Sequence, residues 1–308
     1  SRSSAASDVY KRQLYVVVGL AAGATDGKIA AYLWSDGMLH AAWSKHVDDH
    51  VCALTTVSGY LAAAIGHEVH TYAMEPNALT FRRPWDCAFV SSCLASKGST
   101  LVVGDAMHSL TVLTVAEDGS LSESARDLHP YWTSAVCVLD TEQQQYLGTD
   151  VAMNLFVAER AKGTEPESPW SHVMRHAAAC HFGDLVNAMH TLPGGGVMYA
   201  TASGALGTLV RVPEPMACVL LCLQDAMIEA IPAPGDIPWE SWRTSRTDTR
   251  TEPPHHILDA DVLRIFVSDP SVRPPCLEKA RSLAQARDIP LAEMAEERML
   301  HMLHALLS

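Results

Sequence analysis

The feature that most constrains this chain is a unit that recurs along it. Leu101 to Val157 holds two copies, VVGDAMHSLTVLTV and, roughly forty residues later, YLGTDVAMNLFVAE. Each is a short apolar run ending in glycine, a small or polar turn, and then an alternating apolar strand. The first turn is Gly104-Asp105, followed by a strand from Ser109 to Val115; the second is Gly148-Thr149-Asp150, followed by Asn154 to Ala158. Glycine and aspartate suit tight turns through backbone freedom and local hydrogen bonds, and β-branched alternation marks half-buried strands. Between the copies, Trp132 to Leu139 reads as another strand, closed by the polar turn Asp140 to Gln145. The pattern is an antiparallel meander.

The signature recurs at Tyr15 to Gly19, at Leu61 to Gly66 and, more weakly, at Val197 to Thr201. Its markers (Gly19, Gly66, Gly104, Gly148, Thr201) lie roughly forty to fifty residues apart, the period of four-stranded propeller blades. Helical repeats of that period would space apolar residues at i, i+3 and i+4, and these segments alternate instead. A β-sandwich is the weaker alternative. The expected fold is therefore mainly β: a partial β-propeller over residues 14–212, followed by a small α-helical C-terminal domain over 213–308. Lys28 to Trp34, the turn Ser35-Asp36-Gly37 and the strand from Met38 make one hairpin; loops at 162–168 and Gly194 to Gly196 separate blades.

From Pro213 the pattern changes. Met216 to Ile231 is unbroken by glycine or proline and reads as a helix, too short and too polar after Leu223 to span a bilayer. Residues 232–254 form a Pro-rich connector. Asp259 is placed to cap a helix carrying Val262, Leu263 and Phe266; Leu277 to Asp288 makes a second. Pro290 opens a third, Leu291 to Leu307, with Leu291, Met294, Met299, Met302, Leu303 and Leu306 along one face.

The chain's start imitates a secretory leader, Lys11-Arg12 preceding an apolar run, but that run flows into the strand pattern. Asp8 to Gln13 looks like a translated library adapter, so residues 1–13 are expected to be non-native; the remainder begins at Leu14 inside a strand, so the propeller, with about five blade signatures, is expected to be truncated. An open arc follows, with Tyr15, Val17 and the Ile29 to Leu33 strand exposed for want of a covering neighbour.

The formal charge of −13 disfavours direct nucleic-acid binding. Eight cysteines with no CxxC pair suit reduced thiols and a nuclear or cytoplasmic home. No nucleophile elbow, P-loop or dinucleotide fingerprint is present, so neither an enzyme nor a cofactor is expected. His172, His176, Cys180 and His181 offer metal-type side chains, but their spacing fits one helix face only partly. They read as packing and surface residues, with no metal expected; a propeller-based metal hydrolase is the distant alternative. Trp132, opening a strand after Pro130-Tyr131, is placed where a propeller rim binds partners or where blades pack.

These blocks carry a resemblance. SARDLHPYWTSAVCVLD (Ser124 to Asp140), VVGDAMHSL, YLGTDVAMNLFV, HFGDLVN (His181 to Asn187) and RTEPPHHILDADVL (Arg250 to Leu263) resemble, in order and spacing, the family of the large subunit of the UV-damaged DNA-binding protein. The match covers Leu14 to Ser308. Members of that family are adaptors of cullin–RING ubiquitin ligases; paralogous families serve pre-mRNA cleavage and polyadenylation or splicing. The resemblance implies later blades of a third propeller plus the helical domain, in a non-catalytic adaptor that holds substrate-receptor proteins. The cullin would be held by a middle propeller that this chain lacks, with no direct nucleic-acid or membrane partner. It further implies partner contacts at Cys87, Val90, Ser92, Cys93, His108, Arg126, Trp132, Ser203 and Ile231. Trp132 and Arg126 match the family's residue types, whereas His108 stands for arginine and Ser203 for asparagine.

Overall fold

Short alternating runs separated by turn residues pair with their sequence neighbours, because antiparallel strands need only a few residues to turn. The computed structural model describes residues 15–21, 25–75, 78–160 and 172–307. The expectations for residues 1–13 and for the loop at 162–168 lie outside the described residues. Five sheets follow in chain order. The first holds β1 (Tyr15–Ala21), β2 (Gly27–Ser35) and β3 (Met38–Val47). The second holds β4 (Val51–Val57), β5 (Tyr60–Ile65), β6 (Glu68–Glu75) and β7 (Ala78–Asp86). The third holds β8 (Ser91–Lys97), β9 (Thr100–Asp105), β10 (Leu110–Val115) and β11 (Leu121–Arg126). In the fourth are β12 (Thr133–Asp140), β13 (Gln145–Asp150), β14 (Asn154–Arg160) and β15 (Met174–His181). The last holds β16 (Val186–Thr191), β17 (Val197–Thr201) and β18 (Leu206–Leu209). Each sheet's first strand packs on the next sheet's first strand, β1 on β4 through to β12 on β16. This is a five-bladed, propeller-like arrangement, with three-stranded sheets at its two ends.

Apolar layers between sheets hold the blades together. Ile29, Leu61, Ile65 and Tyr72 fill the layer of the first two blades; Val57, Leu101, Val103 and Leu113 fill the next. Tyr131, Val136, Phe156 and Met174 then pack with Val102 and Val112 of the third sheet. Gly104 and Gly148 serve these layers, which corrects their reading as turn glycines. Both lie inside strands. A Cβ on Gly104 would run into Cys93 and Thr133, and one on Gly148 into the Phe156 ring. They are small because neighbours occupy the space a side chain would need.

No comparable packing joins β16 to β1 among the described residues. The first sheet is partly bare, but not where the sequence pattern suggested. Tyr15 and Val17 are half-buried, and Val17 packs in the first interblade layer. Val16, Val18 and Leu20, on the alternate face of β1, are exposed instead. Ile29, Ala30 and Ala31 are buried, because β2 is the central strand and lies between β1 and β3. A strand's two faces differ by one residue of register, so the pattern located the bare sheet and missed which side was bare.

Beyond β18 lie α1 (Glu214–Ala230), α2 (Trp239–Arg243), the hairpin β19 (Ser245–Arg246) and β20 (Thr251–Glu252), α3 (Ala260–Ser268), α4 (Arg273–Ala286) and α5 (Glu296–Leu307). Their core gathers Leu220, Leu223, Met227, Phe266, Met294 and Met299. The expected helix from Leu291 to Leu307 is broken: a 3-10 turn, Leu291–Met294, ends at an extended Ala295 before α5. Met294 stays buried while Leu291 turns out to solvent. Asp259 caps α3 through Asp261 N at 3.0 Å and accepts from Trp239 Nε1 at 2.9 Å and Arg243 Nε at 2.7 Å. Burial would push its carboxyl up; the hydrogen bonds from Arg243 and Trp239 outweigh that and hold it below the usual range. No helix among the described residues is long and apolar enough to cross a membrane.

The bare face of β1, with exposed Trp34, Met38 and Leu39 on the same sheet, favours self-association. Val16→Lys combined with Val18→Lys is expected to shift the chain toward monomer in analytical ultracentrifugation. Unchanged association would show that another surface carries it.

Candidate functional site

In an antiparallel sheet every second turn falls at the same end, so the loops at 87–90, 106–109, 127–132 and 151–153 share one rim. Backbone hydrogen bonds stitch them together. Ala106 N donates to Val90 O at 2.9 Å, Ser109 N to Tyr131 O at 2.9 Å, and Val151 N to Trp132 O at 2.9 Å. Asp105, buried at the end of β9, anchors two of these loops. Its Oδ2 accepts from Phe89 N at 2.9 Å, and its Oδ1 from Met107 N at 2.7 Å and His108 N at 3.0 Å. Asp150 repeats the device one blade on, accepting Asn154 N and Asn154 Nδ2, both at 2.8 Å. The loops are thereby held rigid although they lie at the surface.

What they hold out is apolar. Trp132 is 57% exposed, Leu128 55% and Met107 52%; Phe89, Val90, Val151 and Met153 are exposed on the same loops. Isolated exposed apolar residues are ordinary on a protein surface. Seven on four mutually bonded loops form a patch of the kind that binds protein. Burying a fixed surface costs little conformational entropy, which favours association.

The structure brings Val90, His108 and Trp132 together on this rim. Ser203 lies on the corresponding loop of the last sheet, exposed and donating to Asp184. Arg126, at the end of β11, is occupied by Glu123, with Nη2 to Oε2 at 2.6 Å. Cys87 is half-buried, its thiol pushed up to about 12 by burial and by the Asp105 charge. Ser92 and Cys93 face the interior of the blades: Ser92 Oγ donates to Thr133 O at 2.7 Å, and Cys93 packs against the adjoining apolar layer. Ile231 packs against the helical core. Phe89, Met107, Leu128, Val151 and Met153 escaped sequence reasoning. The signal was a large apolar residue beside a strand end, where a polar turn residue is usual.

A second constellation sits beneath the rim. Asp127, fully buried, accepts from His129 Nδ1 at 2.5 Å, His176 Nε2 at 2.9 Å and Ser109 Oγ at 2.6 Å. Burial would raise the Asp127 carboxyl, but the hydrogen bonds and charges of His129 and His176 more than offset this and hold it far below its ordinary value. Its stabilising contribution is complete above the ordinary carboxylate range and is lost as pH falls through the depressed value. The three side chains are close enough to suggest a metal. Two ligands on a tetrahedral ion with bonds of about 2.0 Å stand about 3.3 Å apart, whereas these separations are those of hydrogen bonds. The other acid-and-imidazole group, His67, Glu68 and Asp86, is mostly exposed, with Glu68 already bonded to His70 Nε2 at 2.6 Å. Of the histidines grouped in the sequence, only His176 joins Asp127; His172 bonds Ser124 O and His181 bonds Asn154 Oδ1.

Stacked antiparallel sheets, a stitched apolar rim and an appended helical region define a propeller-type scaffold. Residues 4–268 match the family model described as the CPSF A subunit region, and the chain belongs to that family. It is 28% identical over 262 residues to DNA damage-binding protein 1a of Arabidopsis thaliana, covering 79% of this chain and 24% of that protein. It is 27% identical over 279 residues to DNA damage-binding protein 1 of Solanum lycopersicum, covering 84% of this chain and 25% of that protein. The Oryza sativa subsp. japonica protein of that name is 25% identical over 288 residues, 88% of this chain and 26% of its own length. The chain thus spans about a quarter of these relatives, and its homology is to their C-terminal propeller and helical domain.

Asp105→Ala is expected to leave three backbone N–H groups without their acceptor, costing about 2–3 kcal/mol. Denaturant unfolding reads the loss, and amide exchange at Phe89, Met107 and His108 should accelerate together. Unchanged exchange at those amides would show that Asp105 does not hold the rim.

Proposed function

We propose that this chain is the binding part of a non-catalytic adaptor of a cullin–RING ubiquitin ligase, its rim holding substrate-receptor proteins. The observation that carries the reading is the row of hydrogen-bonded loops presenting Trp132, Leu128 and Met107 to solvent. Such a rim binds by geometry: large apolar anchors enter a partner's groove while the stitched loops keep their positions. A short amphipathic helix on the receptor suits it, since the exposed side chains lie on successive loops. Similarity to the DNA damage-binding proteins supports a role in the damage response, and the nucleus and cytoplasm are the proposed setting. Contact with the cullin would fall to a middle propeller outside this chain. Cys87, Ser92, Cys93 and Ile231 would then support the contact surface from beneath or from the helical region, with Val90, His108, Arg126, Trp132 and Ser203 nearer the partner.

The family description also favours a second reading, a scaffold of pre-mRNA processing. Affinity capture with the full chain, followed by mass spectrometry, separates the two: ubiquitin-ligase receptors support the first, and cleavage or splicing subunits the second.

Trp132→Ala should weaken binding of a captured receptor about thirtyfold, the scale of a hot-spot anchor of about 2 kcal/mol. Its unfolding midpoint should move little, because the side chain is exposed. Titration calorimetry of wild type and variant checks this; equal affinity would remove Trp132 from the interface.

A further inference from the structure

His176, on β15, is almost wholly buried, its side chain 2% exposed. Its two ring nitrogens face two carboxylates on different parts of the molecule. Nε2 lies 2.9 Å from Asp127 Oδ2, in the loop leading to β12. Nδ1 lies 3.8 Å from Glu252 Oε2, on the connector hairpin. Neither His176 Nδ1 nor Glu252 Oε2 has a hydrogen-bond partner, although the Arg250 guanidinium stands 3.4 Å from Oε2 as an ion pair. Buried polar atoms left this way are uncommon and costly.

The protonation states of an imidazole decide what this arrangement can be. With its hydrogen on Nε2, the ring satisfies Asp127 and turns a lone pair toward Glu252. With the hydrogen on Nδ1, it serves Glu252 and sets a lone pair against Asp127 at hydrogen-bond distance. Only the imidazolium, carrying a hydrogen on each nitrogen, offers a donor to both carboxylates.

The surrounding charges are consistent with that state. From the loop before β12 come Asp127, His129, whose ring centroid is 4.0 Å from that of His176, and Tyr131 at 5.4 Å. From β14 comes Phe156, uncharged and stacked at 4.9 Å. From the connector come Glu252, Arg250 with Nη2 3.4 Å from Glu252 Oε2, and His255 with Nδ1 3.8 Å from Glu252 Oε1. Two carboxylates therefore face one permanent cation, and a protonated His176 supplies the second positive charge.

We infer that protonation of His176 clasps the connector to the fourth sheet, and that its deprotonation releases the Glu252 end, making the seam between propeller and helical region proton-linked. What is released is the Glu252 side chain and the backbone beyond it to His255, because Thr251 and Glu252 stay paired with Arg246 and Ser245 of β19. The β19 end stays tied, because Asn154 Nδ2 donates to Arg246 O at 3.0 Å and Arg246 N to Asn154 Oδ1 at 3.2 Å. Past Glu252, His255 N donates to Ala179 O at 3.0 Å and Ala179 N to His255 O at 3.2 Å. These two amides report on the clasp.

The test measures amide-exchange protection factors of Ala179 and His255 in the full chain at about pH 6 and about pH 8. Protection is expected to fall about tenfold or more toward the higher pH, while nitrogen chemical shifts report His176 losing a proton. In Glu252→Gln a neutral amide can donate to the neutral Nδ1, so protection should persist at the higher pH. His176→Gln, which cannot change charge, should respond little. Three results would overturn the clasp: equal wild-type protection at both pH values, a Glu252→Gln variant that loses protection as wild type does, or a response abolished by a metal chelator.

Discussion

Buried carboxylates at strand ends are what the rim depends on. Where a ladder stops, backbone N–H groups lose their partners, and a rim of tight loops multiplies such orphans. Asp105 and Asp150 take them up from inside the blades, and Asp127 accepts from His129 N at 3.2 Å as well as from its ring. Isolated charges at such depth would be expensive; surrounded by donors they become fixed points from which the loops hang. The apolar side chains can then face water without the loops collapsing over them.

Similar carboxylates in similar places behave differently according to their donors. Asp150 is bonded to amides of Asn154, and burial wins, so its carboxyl is raised. Asp127 is bonded to two imidazoles that can carry charge, and its carboxyl is lowered. The first position is chiefly structural. The second couples the rim loop to β15 and, through His176, to the connector. The same interblade seam thus carries packing, loop order and the attachment of the helical region.

That attachment is polar at its edges and apolar at its centre. Gln224 of α1 accepts from Asp259 N at 2.6 Å and donates to Ile257 O at 3.1 Å, while Arg243 pairs with Asp259. Beneath them the methionines and leucines of α1, α4 and α5 form one core. A connector that reads as a proline-rich spacer is therefore an ordered strap, held because its turns place backbone groups opposite Asn154 and Ala179.

Much of this was legible in the sequence. Period-two alternation and a blade-length repeat are local properties, so the strands of VVGDAMHSLTVLTV and YLGTDVAMNLFV and the change of character at Pro213 could be read directly. Trp132 stood out by opening a strand after Pro130-Tyr131, whereas Val90 and His108 were reached only through a family resemblance. What stayed hidden depends on neighbours distant in the chain. Gly104 and Gly148 read as turn residues, yet their smallness answers to Cys93, Thr133 and the Phe156 ring. Val16 and Val17 look alike in sequence, and only the packing of the second sheet decides which is covered. His176 lies 49 residues from Asp127, and no spacing rule joins them. The amino-acid sequence alone determined the strands, the repeat and the helical tail, because hydrophobic period acts over a few residues. The tertiary structure decided the bare face, the stitched rim and the buried histidine, because which atoms lose water is settled only when separate blades meet.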